Sequence, residues 1–167
     1  MTGPRKSTEY QHQGRRDKLI REMEHDPYKS KRKLPEPTVC PDCRAVYHKG
    51  RWTWEAAQAG AHEELCPACH RIRDRVPAGF LTLGGPFVAQ HETEIMHLVH
   101  NVEQQHKKEH PMQRIMDVRE EEGNTVITFT DPHLARAAGE ALHHAYQGAL
   151  NFQYTDEDVL LRVSWSR

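Results

Sequence analysis

An α+β architecture in two folded parts is what this sequence predicts: a small ribbon gathered round four cysteines, then a two-layer α/β sandwich running helix, two strands, helix, two strands. Three features carry the prediction. The chain's only cysteines, Cys40, Cys43, Cys66 and Cys69, form two Cys-x-x-Cys pairs with 22 residues between them. Further on, Ile95, Leu98, Val99 and Val102 recur at the i, i+3, i+4, i+7 spacing of one helix face. Beyond that helix, 115–120 and 125–130 are strand-like runs, and apolar and polar residues alternate over 150–154 and 159–165, the period-2 pattern of half-buried strands.

Composition sets the bounds. A chain of 167 residues suits one domain or two small ones. Hydrophobic residues are 37% of it and its mean hydropathy is -0.86, so a soluble chain with a polar tail is expected. The net charge of -1 argues against a general polyanion-coating protein. The charge is uneven, with ten Lys/Arg against six Asp/Glu in residues 1–38 and thirteen against eighteen in the rest. No apolar run approaches the ~20 residues that span a bilayer, and MTGPRKSTEYQHQGRRDK lacks the apolar core of a signal peptide. No membrane contact is expected, and a cytoplasmic setting follows, in which thiols stay reduced and paired cysteines favour metal over disulfide.

Residues 1–37 read as a flexible basic arm, poor in aliphatics and closed by Pro35 and Pro37, with a short helix around 17–24. A solvated tail and an arm that orders against phosphates both fit it. Residues 38–88 read as the four-cysteine ribbon and a linker. The stretch from Arg44 to Trp54 partly alternates around Gly50, as a short hairpin would. The Ala-rich stretch 55–64 suits a helical turn or more. Arg71, Arg73 and Arg75 recur at every second residue, so an extended segment would put all three on one face, with Ile72 and Val76 on the other. Residues 81–87 read as a Gly/Pro linker with apolar anchors. Residues 89–167 read as the α+β domain. A helix over 92–109 stops before Pro111. Glu121-Glu122-Gly123-Asn124 turns a hairpin, Asp131-Pro132 opens a second helix, and Gly148 ends it. The last two strands flank the acidic turn Asp156-Glu157-Asp158.

Two cysteines separated by two residues aim both sulfurs at one centre, and two such turns complete a tetrahedral thiolate shell. One structural Zn2+ is the expected occupant, because a catalytic zinc keeps an open position. Iron suits the same shell, but iron carriers commonly place glycine after each pair, and Arg44 and His70 stand there. A dithiol redox pair is a further alternative. The thirteen histidines include no His-Glu-x-x-His, and His97, His100, His106 and His110 read as a solvated helix face. No nucleophile elbow, phosphate loop or dinucleotide fingerprint occurs. The trio Asp131, His133 and Arg136 is explained by Asp131 as a cap and Arg136 paired with Glu140. No enzyme and no small-molecule substrate is expected. Lys49, Arg51, Trp52 and Trp54, with Arg71, Arg73 and Arg75, combine phosphate-binding charge with stacking surface, the means by which single-stranded or structured RNA is held. A plainer use of the same residues is a ribbon core of tryptophans solubilised by arginines.

The segments Cys40-Pro-Asp-Cys43-Arg44, Cys66-Pro-Ala-Cys69-His-Arg71-Ile-Arg73-Asp74-Arg-Val-Pro77-Ala-Gly79 and Thr130-Asp131-Pro-His133-Leu-Ala-Arg136-Ala-Ala-Gly139-Glu-Ala-Leu142 together resemble a family of uncharacterised bacterial zinc-ribbon proteins, over roughly residues 38–165. The ribbon half is similar, more distantly, to the N-terminal ribbons of the archaeal and eukaryotic adaptor that escorts the large ribosomal subunit to export. That adaptor has more than one ribbon, whereas this chain has a single set of four cysteines. The resemblance implies a ribosome or rRNA contact rather than an export role. The expected function is therefore a non-enzymatic zinc protein contacting the ribosome or structured RNA, as an assembly or stress-dormancy factor. A protein–protein adaptor docking through Trp52 and Trp54 is the first alternative, and an iron redox carrier or thiol sensor the second.

Overall fold

The computed structural model describes residues 26–155 and 160–167. The expected helix at 17–24 and the acidic turn Asp156-Glu157-Asp158 lie outside the described residues, as does most of the arm.

The cysteine-bearing part is a four-stranded sheet of short strands, β1 (Thr38–Val39), β2 (Val46–His48), β3 (Arg51–Thr53) and β4 (His62–Glu63), in the order β3-β2-β1-β4. Lys49 and Gly50 turn the β2–β3 hairpin at φ 53° and 78°, the left-handed region in which glycine costs little. Their N–H groups donate to the Glu36 carboxylate at 2.9 and 3.1 Å, which holds its pKa below the usual carboxylate range. The helical turn expected at 55–64 is absent. Gly60 takes φ 78°, and residues 62–63 are drawn instead into parallel pairing with β1, so sheet hydrogen bonding overrides the alanine content.

Helix α1 (Pro67–Asp74) begins inside the second cysteine pair and carries Cys69. It replaces the extended segment expected there. Pro67 occupies the first turn, Cys66 caps it, and Arg75 closes it in the left-handed conformation at φ 56°. An eight-residue helix is too short to show its period against an accidental alternation of arginines.

Residues 81–87 are not a linker. Strand β5 (Gly79–Gly84) is the middle strand of a five-stranded sheet ordered β6-β7-β5-β9-β8. Its neighbours are β6 (Ile115–Glu121), β7 (Asn124–Phe129), β8 (Ala149–Thr155) and β9 (Leu160–Ser166). β5 runs parallel to β9 and antiparallel to β7. Leu81 and Leu83 alternate inward with Phe80 and Thr82 between them. Gly79 belongs to the strand because a Cβ there would lie 2.7 Å from the Ala135 Cβ of the overlying helix.

Helix α2 (Pro86–Glu109) begins six residues before the start expected at 92, with proline in its first turn and a kink at His91 (φ -124°, ψ 24°). Helix α3 (Pro132–Tyr146) is capped by Asp131, whose side chain accepts from the His133 N–H at 2.7 Å. The two helices pack on each other, and α3 lies across β5, β8 and β9. Ile95, Val99, Leu134 and Leu142 meet Leu81, Phe129 and Trp165 in one core. α3 thus lies on the sheet with α2 packed beside it, and β5 adds a fifth strand to the four expected. Among the described residues, no helix is long and apolar enough to cross a membrane.

Candidate metal centre

Each cysteine pair is positioned by its own backbone device. In the first, Arg44 takes φ 66° and its N–H returns to the Cys40 carbonyl at 2.9 Å, while the Cys40 N–H bonds the Ala45 carbonyl at 2.8 Å. In the second, Cys66 stands at the N-terminus of α1, its sulfur accepting from the Cys69 N–H at 3.4 Å. The Cys66 N–H in turn donates to the Cys40 sulfur at 3.4 Å. One pair is thus built on a turn and the other on a helix start.

The four sulfurs converge, all within 4.8 Å of one another. Cys40 and Cys66 are fully buried, Cys69 nearly so, and Cys43 half-buried. None is in a disulfide, and the Cys43 and Cys66 sulfurs stand 3.7 Å apart. A tetrahedron with zinc–sulfur bonds of about 2.3 Å has edges of about 3.8 Å, so these donors fit a single four-thiolate ion. Trp52, Leu65 and Met112 pack against the cluster and keep water from its apolar side.

Arg114 joins the cluster from the other half of the chain. It lies between α2 and β6, buried at 7% exposure. Its Nε donates to the Pro111 carbonyl at 2.8 Å, Nη1 to Cys69 at 3.2 Å, and Nη2 to Cys43 at 3.1 Å and Cys66 at 3.5 Å. Burial opposes its charge, yet these sulfurs push its pKa above the usual arginine range. The thiols are driven apart. The Cys66 hydrogen bond, helped by Arg114, lowers Cys43 to about 4. The same hydrogen bond and burial push Cys66 up, and burial raises Cys69 to about 11. Nothing in the cysteine spacing announced Arg114. The signal was electrostatic: four thiolates round a divalent ion leave a buried double negative charge that calls for a cation, without saying which of the 23 Lys/Arg supplies it.

Of the seven residues expected to face RNA, Arg51, Trp52 and Arg71 line one cleft, whereas Lys49, Trp54, Arg73 and Arg75 are not in its lining. Arg71 is buried, bonded to Asp26 at 2.8 Å and to the Val76 carbonyl at 3.1 Å, with Tyr28 over its guanidinium at 4.5 Å. Arg73 grips Asp42 of the first cysteine pair, Nε to Oδ2 at 2.8 Å, fastening the two pairs from outside. Residues two apart on a helix point roughly 200° from each other, so the single arginine face fails. Arg75 is exposed at the helix end. Trp54 donates from its indole to the Lys107 carbonyl at 2.6 Å and lies over Arg114 at 5.6 Å. Lys49 and Arg51 are exposed beside half-buried Trp52, which meets Tyr47 edge-on at 5.6 Å. Arg51, Tyr47 and Trp52 line a cleft of ≈ 580 Å³ together with Lys29, Arg32 and Met112.

Of the remaining candidates, Arg136 pairs with Glu140 at 2.8 Å and Asp131 serves as cap. His97, His100 and His110 are exposed, and His106 bonds Gln113 at 3.0 Å.

Fold and site together define an α+β protein with a buried four-cysteine group able to hold a metal ion. Comparison with protein-family models, with curated proteins and with solved structures finds no match for the chain.

Proposed function

We propose that this chain is a non-enzymatic zinc-ribbon protein that contacts structured RNA, with ribosomal RNA as the expected partner. The convergence of four buried sulfurs supports the metal half of the reading. Zinc would be held by Cys40, Cys43, Cys66 and Cys69, and supplies a rigid link between two short turns, with no position left open for substrate. The cleft beside the hairpin supports the RNA half. Tyr47 and Trp52 offer ring surface, the exposed cations Lys29, Arg32 and Arg51 line the same cleft, and Lys49 is exposed at the adjoining hairpin turn, the combination that holds an unstacked base and its phosphates. Arg71, Arg73 and Trp54 are spent on internal contacts and leave this role to the hairpin.

Sucrose-gradient sedimentation of the tagged protein, with and without nuclease, tests the proposal when zinc and iron are read in the same fractions. Comigration with ribosomes that is lost at high salt, with about one zinc per chain, is expected. Replacing Arg32 and Arg51 by Glu should weaken the association and flatten its salt dependence, by roughly 0.7 in slope for each phosphate no longer neutralised. A zinc-loaded protein that stays at the top of the gradient at low salt refutes RNA contact, and iron in the fractions refutes zinc.

One observation favours a protein partner as the second reading. Among the described residues nothing pairs with the outer edge of β8, and the strand carries no charged residue, whereas the opposite edge, β6, carries Asp117, Arg119, Glu120 and Glu121. Charge protects sheet edges from added strands, and β8 lacks that protection. Nuclease-resistant association abolished by a Lys at Asn151 or Gln153 would decide for this reading.

A further inference from the structure

Arg114 makes contacts that a surface arginine does not. Its backbone N–H donates to the Thr130 hydroxyl at 2.9 Å and its carbonyl accepts from the Thr130 N–H at 2.9 Å. The Thr130 hydroxyl donates on to the Met112 carbonyl at 2.6 Å. The residue is therefore fastened to the end of β7, in the larger sheet, while its guanidinium reaches the small one. Among the described residues no carboxylate pairs with it, so its anionic partners there are sulfurs. The fork spans both cysteine pairs, with Cys43 on one side and Cys66 and Cys69 on the other. It can be satisfied only when the two pairs are held together.

A metal ion holds them so. Bound sulfurs are thiolates, strong acceptors fixed at tetrahedral spacing, whereas neutral thiols accept weakly. A buried guanidinium left without its acceptors is costly. The Trp54 indole, bonded to the Lys107 carbonyl, closes the same junction from the hairpin side. We propose that Arg114 is an outer member of the metal centre and makes attachment of the cysteine module to the five-stranded sheet conditional on the bound ion. The proposal rests on the metal reading above and goes beyond it. By linkage, the effect runs both ways: the ion secures the junction, and the docked guanidinium raises affinity for the ion.

The experiment uses the full chain. Native mass spectrometry first establishes the zinc content of the wild type. Zinc transfer to a chromogenic chelator and hydrogen–deuterium exchange are then compared for wild type, Arg114→Met and Arg114→Lys. Arg114→Met should still bind one zinc but retain it roughly 10- to 100-fold less well, the usual cost of losing a group that supports metal ligands. With zinc still bound, its exchange over residues 107–116 should rise. Arg114→Lys keeps the charge but loses the fork, and should fall between. Chelating the wild type should raise exchange over 107–116 while β5, β7 and β9 stay protected, a result that holds even if a variant fails to fold. Unchanged zinc release and exchange in Arg114→Met would overturn the proposal, as would a 107–116 segment indifferent to chelation. A wild type that takes up no zinc would overturn the metal reading itself and is recognised before any variant is compared.

Discussion

Side chain by side chain, the centre is asymmetric before any ion enters it. Cys43 is held down to about 4 by the Cys66 hydrogen bond and by Arg114, Cys66 is pushed up, and Cys69 rises to about 11. At neutral pH the first is a thiolate and the other two are thiols. Metal requires all of them deprotonated. Zinc binding at pH 7 should therefore release protons, those of Cys66 and Cys69 among them. The sign follows: raising the pH removes the competing protons, so apparent affinity climbs, and acid strips the ion. Calorimetric titration in buffers of different ionisation heat measures the proton count directly. A heat independent of buffer would mean that both thiols are already ionised and that burial has been overcome by some other charge. The arginines show the same dependence on surroundings. Arg71 and Arg73 are two residues apart, yet one is buried against Asp26 and Tyr28 and the other is exposed against Asp42. Sequence supplies the charge, and the helix decides which side each one takes.

Among the elements, those whose signals are local were legible. Asp131-Pro132 opens α3, Glu122-Gly123 turns β6 into β7, and the alternation at Leu161, Val163 and Trp165 marks β9. Those that depend on distant partners were not. β5 is read as linker because glycines flank it, but Gly79 is required by the close approach of α3, which no neighbouring residue reveals. β4 forms only because β1 lies beside it. The same close packing gives a test at Gly139. A methyl added there would lie 2.6 Å from Val163 Cγ1 and 3.1 Å from Leu150 Cδ1. Alanine gains about 1 kcal/mol of helix propensity over glycine, while overpacking a filled core costs about 1–3 kcal/mol. Val163 is fully buried between strands and cannot swing away, so the second effect should win. Gly139→Ala should lower stability by about 1 kcal/mol, seen as a lower urea midpoint with unchanged slope. A higher midpoint would mean that α3 can lift off the sheet at little cost.

For the molecule as a whole, the decisive fact is that it has two cores of different kinds. One is apolar and large, built on Leu81, Ile95, Phe129, Leu134, Leu142 and Trp165. The other is small: the four cysteines with Ala68, Trp52, Leu65 and Met112 around them, and Leu34, Val39, Ala45 and Val46 buried in the same module, few side chains to hold strands of two and three residues. A bound ion would therefore stabilise the small core, whereas the large one has apolar packing of its own. The three tryptophans report on the two cores separately: Trp52 and Trp54 belong to the cysteine module, and Trp165 is 1% exposed in the sheet with its indole donating to the Gln147 carbonyl at 2.7 Å. Chelation should shift the emission of Trp52 and Trp54 to the red while a Trp165-only chain keeps its blue emission, and far-ultraviolet dichroism should lose little of its helical signal because α2 and α3 sit on the large core. A single loss of all three signals on chelation would mean that the sheet also needs the metal. The Arg114 junction would then be a support for the whole fold rather than a seam within it.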